Sequence, residues 1–256
     1  MSSAELFERD QSEIRRSAEE AKKLVLTKAE VDRYLSPQPN TPYSLEYAFH
    51  LLGDANGKKV LDLGCGTGAN IIPLAKRGAQ VSAIDISPDL IFLAERRVAN
   101  AKVKAFLKVA SAYETGLPDA SIDVIFCMAL IHHLDIRAVR DEMCRILVRD
   151  GMIILSEPIR FSATYDRLRK LLPQSQDVSD HEHPLTRAEV VRFAEPFKME
   201  GVRYFRLPIL PLAERSLTFS AGAYHRLWKI DYWMLKNFSP AHRYATNVTM
   251  RLRKQK

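Results

Sequence analysis

The sequence lacks the features that would place the protein in or across a membrane. No stretch of its 256 residues approaches the roughly 18 uncharged apolar residues that a membrane-spanning helix needs. Residues 1–23 are polar and of mixed charge, without the basic segment and following apolar segment that mark a secretory signal. Cysteine is scarce as well, because Cys65, Cys127 and Cys144 are odd in number, widely spaced and form no C-x-x-C pair. We therefore expect reduced thiols, most of them buried, in a cytoplasmic protein.

Positive charge exceeds negative charge, but most of the excess is spread along the chain. The formal net charge is +7 and the isoelectric point is near 9.3. The C-terminus is the one locally basic segment, through Arg251, Arg253, Lys254 and Lys256. Elsewhere Lys and Arg are interleaved with Glu, as on ordinary solvated helix faces. This charge pattern favours ordinary solvated faces over a surface that binds nucleic acid or membrane. With 46% hydrophobic residues, the chain can bury one large core.

From residue 58 onward, short apolar runs alternate with helical stretches. Such alternation is typical of a parallel sheet with helices on both faces, because its strands are buried on both sides. The predicted strands are residues 60–63, 81–85, 103–109, 122–128 and 152–157, and the predicted helices are 67–76, 87–100 and 137–148. Gly78 and Gly151 are placed where a helix or turn must stop. The pattern predicts an α/β fold.

Helical segments precede this alternating region. Residues 3–26 show helical periodicity, and Thr27 and Glu30 form a T-x-x-E capping box that predicts the start of a second helix. Thr41, followed by proline, predicts the start of a third helix, which is expected to end at Gly53.

The part of the chain after residue 157 is less regular. A second capping box, Thr186 and Glu189, predicts another helix start. Residues 202–206 and 244–252 have the composition of strands, and residues 210–238 form an apolar, helical insert between them. The chain shows no internal repeat and no low-complexity segment.

Residues 60–68, VLDLGCGTG, carry the strongest functional signal. An apolar strand runs into a loop with Gly64, Gly66 and Gly68, and a helix follows. Glycine lets the backbone turn tightly and approach a ligand closely, while a helix N-terminus offers N–H groups to an anion. Asp85, at the tip of the next strand, can accept both hydroxyls of a ribose. The pattern therefore predicts a ligand that contains a nucleoside.

Two details distinguish this loop from one that binds NAD. Its glycines follow the spacing G-x-G-x-G rather than G-x-G-x-x-G. Asp62 lies two residues before the first glycine, where a carboxylate would disfavour a pyrophosphate but attract a cationic amino-acid group. Turn chemistry alone would explain the glycines, and a helix start at Ser87 would explain Asp85. Turn and helix-start chemistry does not require Asp62 and Asp85 to occur together, so cofactor binding is the better interpretation.

The segments VLDLGCGTG, AIDIS, FCMALIHHL and RDGMIILSEP, in this order, resemble the motifs of class I methyltransferases that use S-adenosylmethionine (SAM). The resemblance covers roughly residues 41–160 and points to the small-molecule branch that includes ubiquinone and menaquinone C-methyltransferases. It implies a Rossmann-like, doubly wound and mostly parallel sheet of seven strands. It also implies SAM as cofactor and S-adenosylhomocysteine (SAH) as product.

The resemblance further implies roles for individual residues. The glycine-rich loop would line the methionine part of SAM, Asp62 would hold its ammonium group, and Asp85 would hold the ribose hydroxyls. Ser111 stands where the family usually has an acidic residue, so the adenine amino group would be held more weakly or by the backbone of Ala112. The expected cofactor-binding residues are Tyr43, Asp62, Gly64, Cys65, Gly66, Gly68, Asp85, Ile86, Ser111, Ala112 and Met128.

His132 and His133 are the candidate catalytic residues. They follow the fourth predicted strand, at the sheet edge where ligands of open α/β folds bind, and an imidazole can accept a proton near neutral pH. His133 is the preferred base, while packing is the alternative role, since positioning and desolvation alone can support methyl transfer. Glu157, at the tip of the fifth strand, is expected to pair with Arg160 or to orient a substrate hydroxyl.

Two further functions are weighed against the sequence. The H-E-H triplet at residues 181–183 resembles metal ligands, but no third strong ligand lies close in sequence, so no metal is expected. Methyltransferases of base amino groups carry N/D-P-P-Y/F after the fourth strand, whereas residues 129–132 read A-L-I-H. Enzymes acting on cytosine C5 carry a Pro-Cys nucleophile, whereas Cys127 lies inside a strand. We therefore expect no nucleic-acid partner.

Substrate character is expected to come from outside the shared core. Residues 1–52 are predicted to form a helical lid and residues 53–256 the SAM-binding domain, with a helical insert at about 207–240 over the site. The insert is rich in aromatic residues, which suits an apolar pocket or a lipid-facing surface. We expect O-, N- or C-methylation of a small apolar or amphipathic molecule, such as a quinone-like compound. The alternatives are a SAM- or SAH-binding protein without transfer activity, and a membrane-surface enzyme with a lipid-like acceptor.

Overall fold

The computed structural model describes residues 28–162, 183–208, 210 and 221–255, and one seven-stranded sheet forms its centre. The strands are β1 Lys59–Leu63, β2 Gln80–Asp85, β3 Ala105–Val109, β4 Ile122–Met128, β5 Leu147–Pro158, β6 Phe197–Phe205 and β7 Asn247–Lys254. The helices are α1 Lys28–Leu35, α2 Ser44–Leu52, α3 Ile71–Lys76, α4 Pro88–Asn100, α5 Ile136–Ile146, α6 Arg187–Ala194 and α7 Ala221–Asn237. Two 3-10 turns, Ile131–His133 and Ser239–Tyr244, precede α5 and β7.

The sheet is doubly wound and mostly parallel. Its strand order is β3-β2-β1-β4-β5-β7-β6, and β7 runs antiparallel to both of its neighbours. Leu63 is paired with both Ile84 and Cys127, and Asp85 is paired with Val109, so the first four strands end at nearly one level. Their ends form what we term the carboxyl edge of the sheet. The predicted Rossmann-like sheet of seven strands is confirmed, and the sheet remains open.

Helices cover both faces of the sheet, which explains why its strands are apolar at successive positions. Val60 of β1 belongs to a buried cluster with Phe49 of α2, whereas the next residue, Leu61, belongs to a second cluster with Met143 of α5. Successive side chains of a strand point to opposite faces, so each strand contributes to both cores. The predicted pattern of a sheet between two helical layers is thus confirmed.

The start of α2 differs from its prediction because a capping side chain has another role. The sequence predicts a helix start at Thr41, but α2 begins at Ser44. The Thr41 hydroxyl accepts the N–H of Tyr43 (3.1 Å) and donates to Glu46 (2.6 Å), so it holds a turn before the helix. Gly53 ends the helix with a φ of +66°, as predicted.

Several other boundaries are also corrected. Residues 67–70 form turns and do not join α3, and Gly151 lies inside β5 rather than at a stop. The run predicted as a strand over 244–252 begins three residues later, because its first residue belongs to a 3-10 turn. The capping box at Thr186 is confirmed. The predicted helix at 3–26, the capping residue of the next helix, and parts of the segments after β5 and β6 lie outside the described residues.

Helix α2 starts at the carboxyl edge of the sheet. The carbonyl of Ser44 accepts a hydrogen bond from the Thr249 hydroxyl (3.5 Å), and Thr249 is paired with Ser156 near the end of β5. At the other end of the helix, the carbonyl of Leu51 accepts from Arg251, which lies two residues farther along β7 (3.2 Å). The segment that precedes α2 therefore lies beside the carboxyl edge.

Helix α7 is attached to the same edge. Its Asp231 carboxylate accepts the N–H of Leu207, a residue that follows the end of β6. Phe205, the last residue of β6, is paired with Asn247, which is paired in turn with Pro158 at the end of β5. The described part of the predicted insert thus borders the carboxyl edge. Within the described ranges, no helix is both long enough and apolar enough to cross a membrane.

Candidate active site

The glycine-rich loop leaves β1 at the middle of the carboxyl edge. Gly64, Gly66 and Gly68 have φ values of +70°, +52° and +77°, which side chains with a Cβ rarely adopt. A Cβ at Gly64 would lie 2.8 Å from the Leu130 side chain, and one at Gly68 would lie 2.8 Å from the Cβ of Ala94. A Cβ at Gly66 would meet nothing within 4 Å. Two of the glycines therefore permit close packing, and Gly66 leaves space on the open side of the loop.

Gly64 and Cys65, at the start of the loop, are held by the neighbouring backbone of β2. The N–H groups of Gly64 and Cys65 both donate to the carbonyl of Ile84 in β2 (2.8 and 3.0 Å). The Cys65 thiol is buried, and burial together with the nearby carboxylates raises its pKa. Cys65 therefore contributes its backbone and its packing to the site, as a neutral thiol.

Asp62 is a buried carboxylate in β1, directly beneath the loop. Its side chain is 1% exposed, and neither oxygen accepts a hydrogen bond of ordinary geometry from the described residues. Burial and, to a lesser extent, the negative charge of Asp85 raise the pKa of Asp62 from 3.8 to about 7, against a lowering by the nearby Asn70 amide. An ionised carboxylate buried in this way lowers the stability of the fold unless a positively charged group pairs with it.

Asp85 joins the tip of β2 to the glycine-rich loop. Its Oδ2 accepts the N–H of Gly66 (2.8 Å), and its Oδ1 accepts the N–H of Ser87 (3.0 Å). Burial raises the pKa of Asp85, while these backbone hydrogen bonds lower it. Each carboxylate oxygen keeps a further lone pair, so Asp85 can accept two more hydrogen bonds.

The remaining predicted cofactor residues lie along the same edge. Ile86 directly follows β2, and Met128 is the last residue of β4. Both side chains are half-buried. Ser111 follows the end of β3, and its hydroxyl accepts the N–H of Tyr113 (3.2 Å), so this side chain holds a local turn. Ala112 lies half-buried inside that turn. The Ser111 hydroxyl thus has a structural partner in this turn.

His132 and Glu157 form a buried pair across β4 and β5. Nδ1 of His132 lies 2.7 Å from Oε2 of Glu157, and Oε1 accepts the N–H groups of Leu130 and Ile131 (2.8 and 2.9 Å). The sequence favoured Arg160 as the partner of Glu157, and this assignment is wrong. The buried Glu157 carboxylate at the end of β5 needs hydrogen-bond donors nearby. The turn after β4 supplies three of them, the backbone N–H groups of residues 130–132.

His133 lies beside this pair. Its ring centroid is 3.9 Å from that of His132, and both rings are nearly buried. The carboxylate contacts His132 rather than the preferred base, His133. With Nδ1 of His132 donating to Glu157, the tautomer leaves Nε2 as the acceptor nitrogen of that ring.

Tyr43 lies at the entrance to α2 and contacts the insert. Its ring centroid is 5.4 Å from that of Trp228 in α7, and the guanidinium carbon of Arg33 lies 4.4 Å from the Tyr43 centroid. Asn40, in the same segment, accepts hydrogen bonds from Lys236 and Tyr232 of α7 (3.1 and 3.4 Å). Sequence reasoning named Tyr43 but did not find its pairing with Trp228, because no local pattern links residues so far apart.

The predicted H-E-H triplet lies mostly outside the described residues. His183 is described, and its Nε2 is 3.0 Å from Oε1 of Glu189, next to the start of α6. In the described ranges, no cluster of three or more His, Cys, Asp or Glu side chains has the geometry to hold a metal ion.

Known proteins resemble this chain in both sequence and fold. Residues 61–155 match the family model described as a methyltransferase domain. The ubiquinone biosynthesis O-methyltransferase of Xanthomonas oryzae pv. oryzae is 30% identical over 164 residues, which cover 60% of this chain and 68% of that protein. The demethylmenaquinone methyltransferase of Tropheryma whipplei is 33% identical over 136 residues, or 50% of this chain and 55% of that one.

A solved structure extends the similarity to nearly the whole fold. The geranyl diphosphate C-methyltransferase of Streptomyces coelicolor, solved with SAH, has a TM-score of 0.65 and covers 96% of this chain and 98% of its own, at 13% identity. The chain belongs to the class I SAM-dependent methyltransferases, and it is an enzyme with SAM as its cofactor. Within that class it is a methyltransferase of small molecules.

The donor set on this edge fits SAM. The buried, uncompleted carboxylate of Asp62 matches the ammonium of the methionine part. The open side of Gly66 offers room for a ligand close to the backbone, and Asp85 retains acceptor capacity for hydroxyl groups.

Proposed function

We propose that the glycine-rich loop, Asp62 and Asp85 hold SAM at the carboxyl edge, with Ile86, Ala112 and Met128 as neighbours. The single observation that carries this proposal is the buried Asp62 carboxylate, neither oxygen of which accepts a hydrogen bond of ordinary geometry from the described residues. Its position next to the loop suits the ammonium group, and a carboxylate paired in this way remains ionised. Asp85 accepts the ribose hydroxyls while it keeps the N–H of Gly66 in place.

We further propose that the enzyme methylates a hydroxyl group. SAM supplies a methyl group on a positively charged sulfur, and its transfer depends chiefly on alignment with the acceptor atom. A hydroxyl is a better acceptor when its proton is removed as the new bond forms. His132 accepts this proton at Nε2, while Glu157 fixes the ring and its tautomer through Nδ1. This pair favours O-methylation over methylation of an amine that is already a nucleophile.

The acceptor is proposed to be small and largely apolar. Support comes from the aromatic border of the edge, where Tyr43 packs against Trp228, and from relatives named for ubiquinone and menaquinone synthesis. Arg33 and Arg206 lie within 4.4 and 6.0 Å of these two rings, respectively. An apolar ring that carries a hydroxyl fits this border better than a positively charged molecule.

Labelled SAM and a matched series of acceptors test the proposal. The series contains alkyl-substituted phenols and hydroquinones, the same rings without a hydroxyl, and the same rings with an amino group in its place. We expect the label only on the hydroxylated compounds, as a methyl ether. Label on carbon, label on the amines, or no transfer to any member despite SAM binding would contradict O-methylation.

A further inference from the structure

The outward side of α7 exposes three large apolar side chains. Ile230 and Trp233 lie one helical turn apart and are 55% and 63% exposed, and Phe238, directly after the helix, is 55% exposed. Residues at i and i+3 are neighbours on a helix surface, so Ile230 and Trp233 adjoin each other. Together with Phe238, just beyond the end of the helix, they make up what we call the outer face of α7. Exposed apolar residues are ordinary when scattered, but adjacent ones mark an interaction surface.

Cationic side chains surround the outer face of α7. They are Arg226, Lys229, Lys236 and Arg243, all of them exposed. From residue 226 to residue 244, no exposed side chain is acidic. The one acid in this stretch, Asp231, is buried on the opposite side, where it accepts the N–H of Leu207. The outer face therefore combines apolar bulk with charge of one sign.

We propose that the outer face of α7 docks on an anionic lipid bilayer, with the helix lying in the plane of the interface. Apolar side chains with a tryptophan enter the boundary between headgroups and acyl chains, while flanking Lys and Arg contact anionic headgroups. The long stem of Lys229 allows its ammonium group to reach the headgroups while the apolar side chains enter the bilayer. This inference concerns a membrane partner and does not depend on the proposed function.

Charge argues against a second copy of the chain as the occupant. A twofold-symmetric dimer would place this patch against its own image, and the four cations of one copy would then lie near those of the other. The exposed residues of this stretch offer no acid to compensate them. A negatively charged surface is the complementary partner.

Docking would also place the active-site border beside the bilayer. Trp228 lies on the inward side of the same helix, two residues before Ile230, and packs against Tyr43 at the carboxyl edge. One helix thus contacts both the proposed site and the proposed lipid surface. If the acceptor is apolar, it reaches the site directly from the membrane.

Sedimentation of the full chain with vesicles tests the docking. The vesicles are phosphatidylcholine alone and phosphatidylcholine mixed with phosphatidylglycerol, each at low and high salt. We expect the wild type to pellet with the anionic vesicles at low salt, and to bind at least about tenfold more weakly at high salt, because salt screens the headgroup charge. The double change Ile230→Ser and Trp233→Ser should weaken binding by at least about tenfold, since the apolar insertion is lost.

Phe92→Ser serves as the matched control, because Phe92 is another exposed aromatic residue, 58% exposed, on α4. This variant should pellet like the wild type. A wild type that stays in solution with anionic vesicles at low salt would overturn the proposal, and so would equal pelleting of the double variant. Gel filtration is run in parallel, and a dimer that becomes a monomer in the double variant, with unchanged pelleting, would assign this face to a subunit interface instead.

Discussion

Nδ1 of His132 lies 2.7 Å from Oε2 of Glu157, while Oε1 of the same carboxylate accepts the N–H groups of Leu130 and Ile131. A single buried side chain from β5 thus holds both the backbone and the imidazole of the loop after β4. Leu130 in turn packs against Gly64, so this loop and the glycine-rich loop are in contact. The proposed base and the proposed SAM site therefore lie on two loops that contact each other at the carboxyl edge.

His132→Asn should lower the methyl-transfer rate by about 10²-fold or more while SAM affinity is kept, because the variant loses the proton acceptor. The remaining activity should no longer rise through the pKa of an imidazole. His133→Asn is the matched control and should cost much less activity. Turnover against pH and the melting temperature of each variant are the measurements. Equal losses in both variants, or full activity in a stable His132 variant, would leave packing as the role of these residues.

Asp85→Ala should weaken SAM binding by about 1 to 3 kcal/mol, the usual cost of losing hydrogen bonds to a charged acceptor. The fold should persist, since Asp85 lies at the end of β2. Asp89→Ala is the control, because Asp89 is exposed on the first turn of α4. Calorimetric titration measures both affinities. Unchanged binding by Asp85→Ala would mean that the ribose lies elsewhere.

Gly66→Ala and Gly68→Ala should have different effects. A Cβ at Gly68 would lie 2.8 Å from the Cβ of Ala94, so this change should lower the free energy of unfolding by about 1 to 3 kcal/mol. A Cβ at Gly66 has space, so its cost in stability should be about 1 kcal/mol, from the positive φ alone. Its main effect should be weaker SAM binding. Chemical denaturation and SAM titration of both variants check the contrast, which fails if Gly66→Ala binds SAM like the wild type.

Asp62→Asn should stabilise the ligand-free protein, and more so as the pH rises. The pKa of Asp62 is raised from 3.8 to about 7, so the folded state keeps a proton that the unfolded chain has already released. The free energy of unfolding of the wild type therefore falls as the pH rises from about 4 to about 7, by at most roughly 4 kcal/mol, and stays low above that range.

The free energy of unfolding of Asp62→Asn does not fall in this way, because asparagine does not titrate. The variant should therefore match the wild type in stability below pH 4 and exceed it by the full difference above pH 7. Urea denaturation at a series of pH values measures it, with Asp89→Asn as an exposed control. A difference between wild type and Asp62→Asn that does not vary with pH would show that the Asp62 carboxyl is not held in this way.

The parallel part of the fold could be predicted from the sequence because its signals are local. Short apolar runs between helices mark β1 to β5, and β4 matches its predicted bounds, Ile122–Met128. Glycines at positive φ and the acids at Asp62 and Asp85 also leave a pattern within a few residues of a strand. Errors arose at helix starts, where Thr41 bonds to Glu46 instead of capping a helix at that point.

The rest of the site could not be predicted because it depends on residues that are distant in sequence. Glu157 is 25 residues from His132, and Tyr43 is far from Trp228, so neither pair leaves a local pattern. The sequence preferred His133 as the base for want of this information. The contact with Glu157 moves the proposal to His132, and the choice between them stays a prediction.

The central claim, that Asp62 binds the ammonium group of SAM, is tested most directly by titrating SAM into the wild type and Asp62→Asn in a calorimeter near neutral pH. The two side chains have nearly the same shape, so the comparison isolates the charge. We predict one molecule of SAM bound per wild-type chain, and affinity at least about tenfold weaker in a variant that is folded and more stable. Equal affinities in the two proteins would contradict the account.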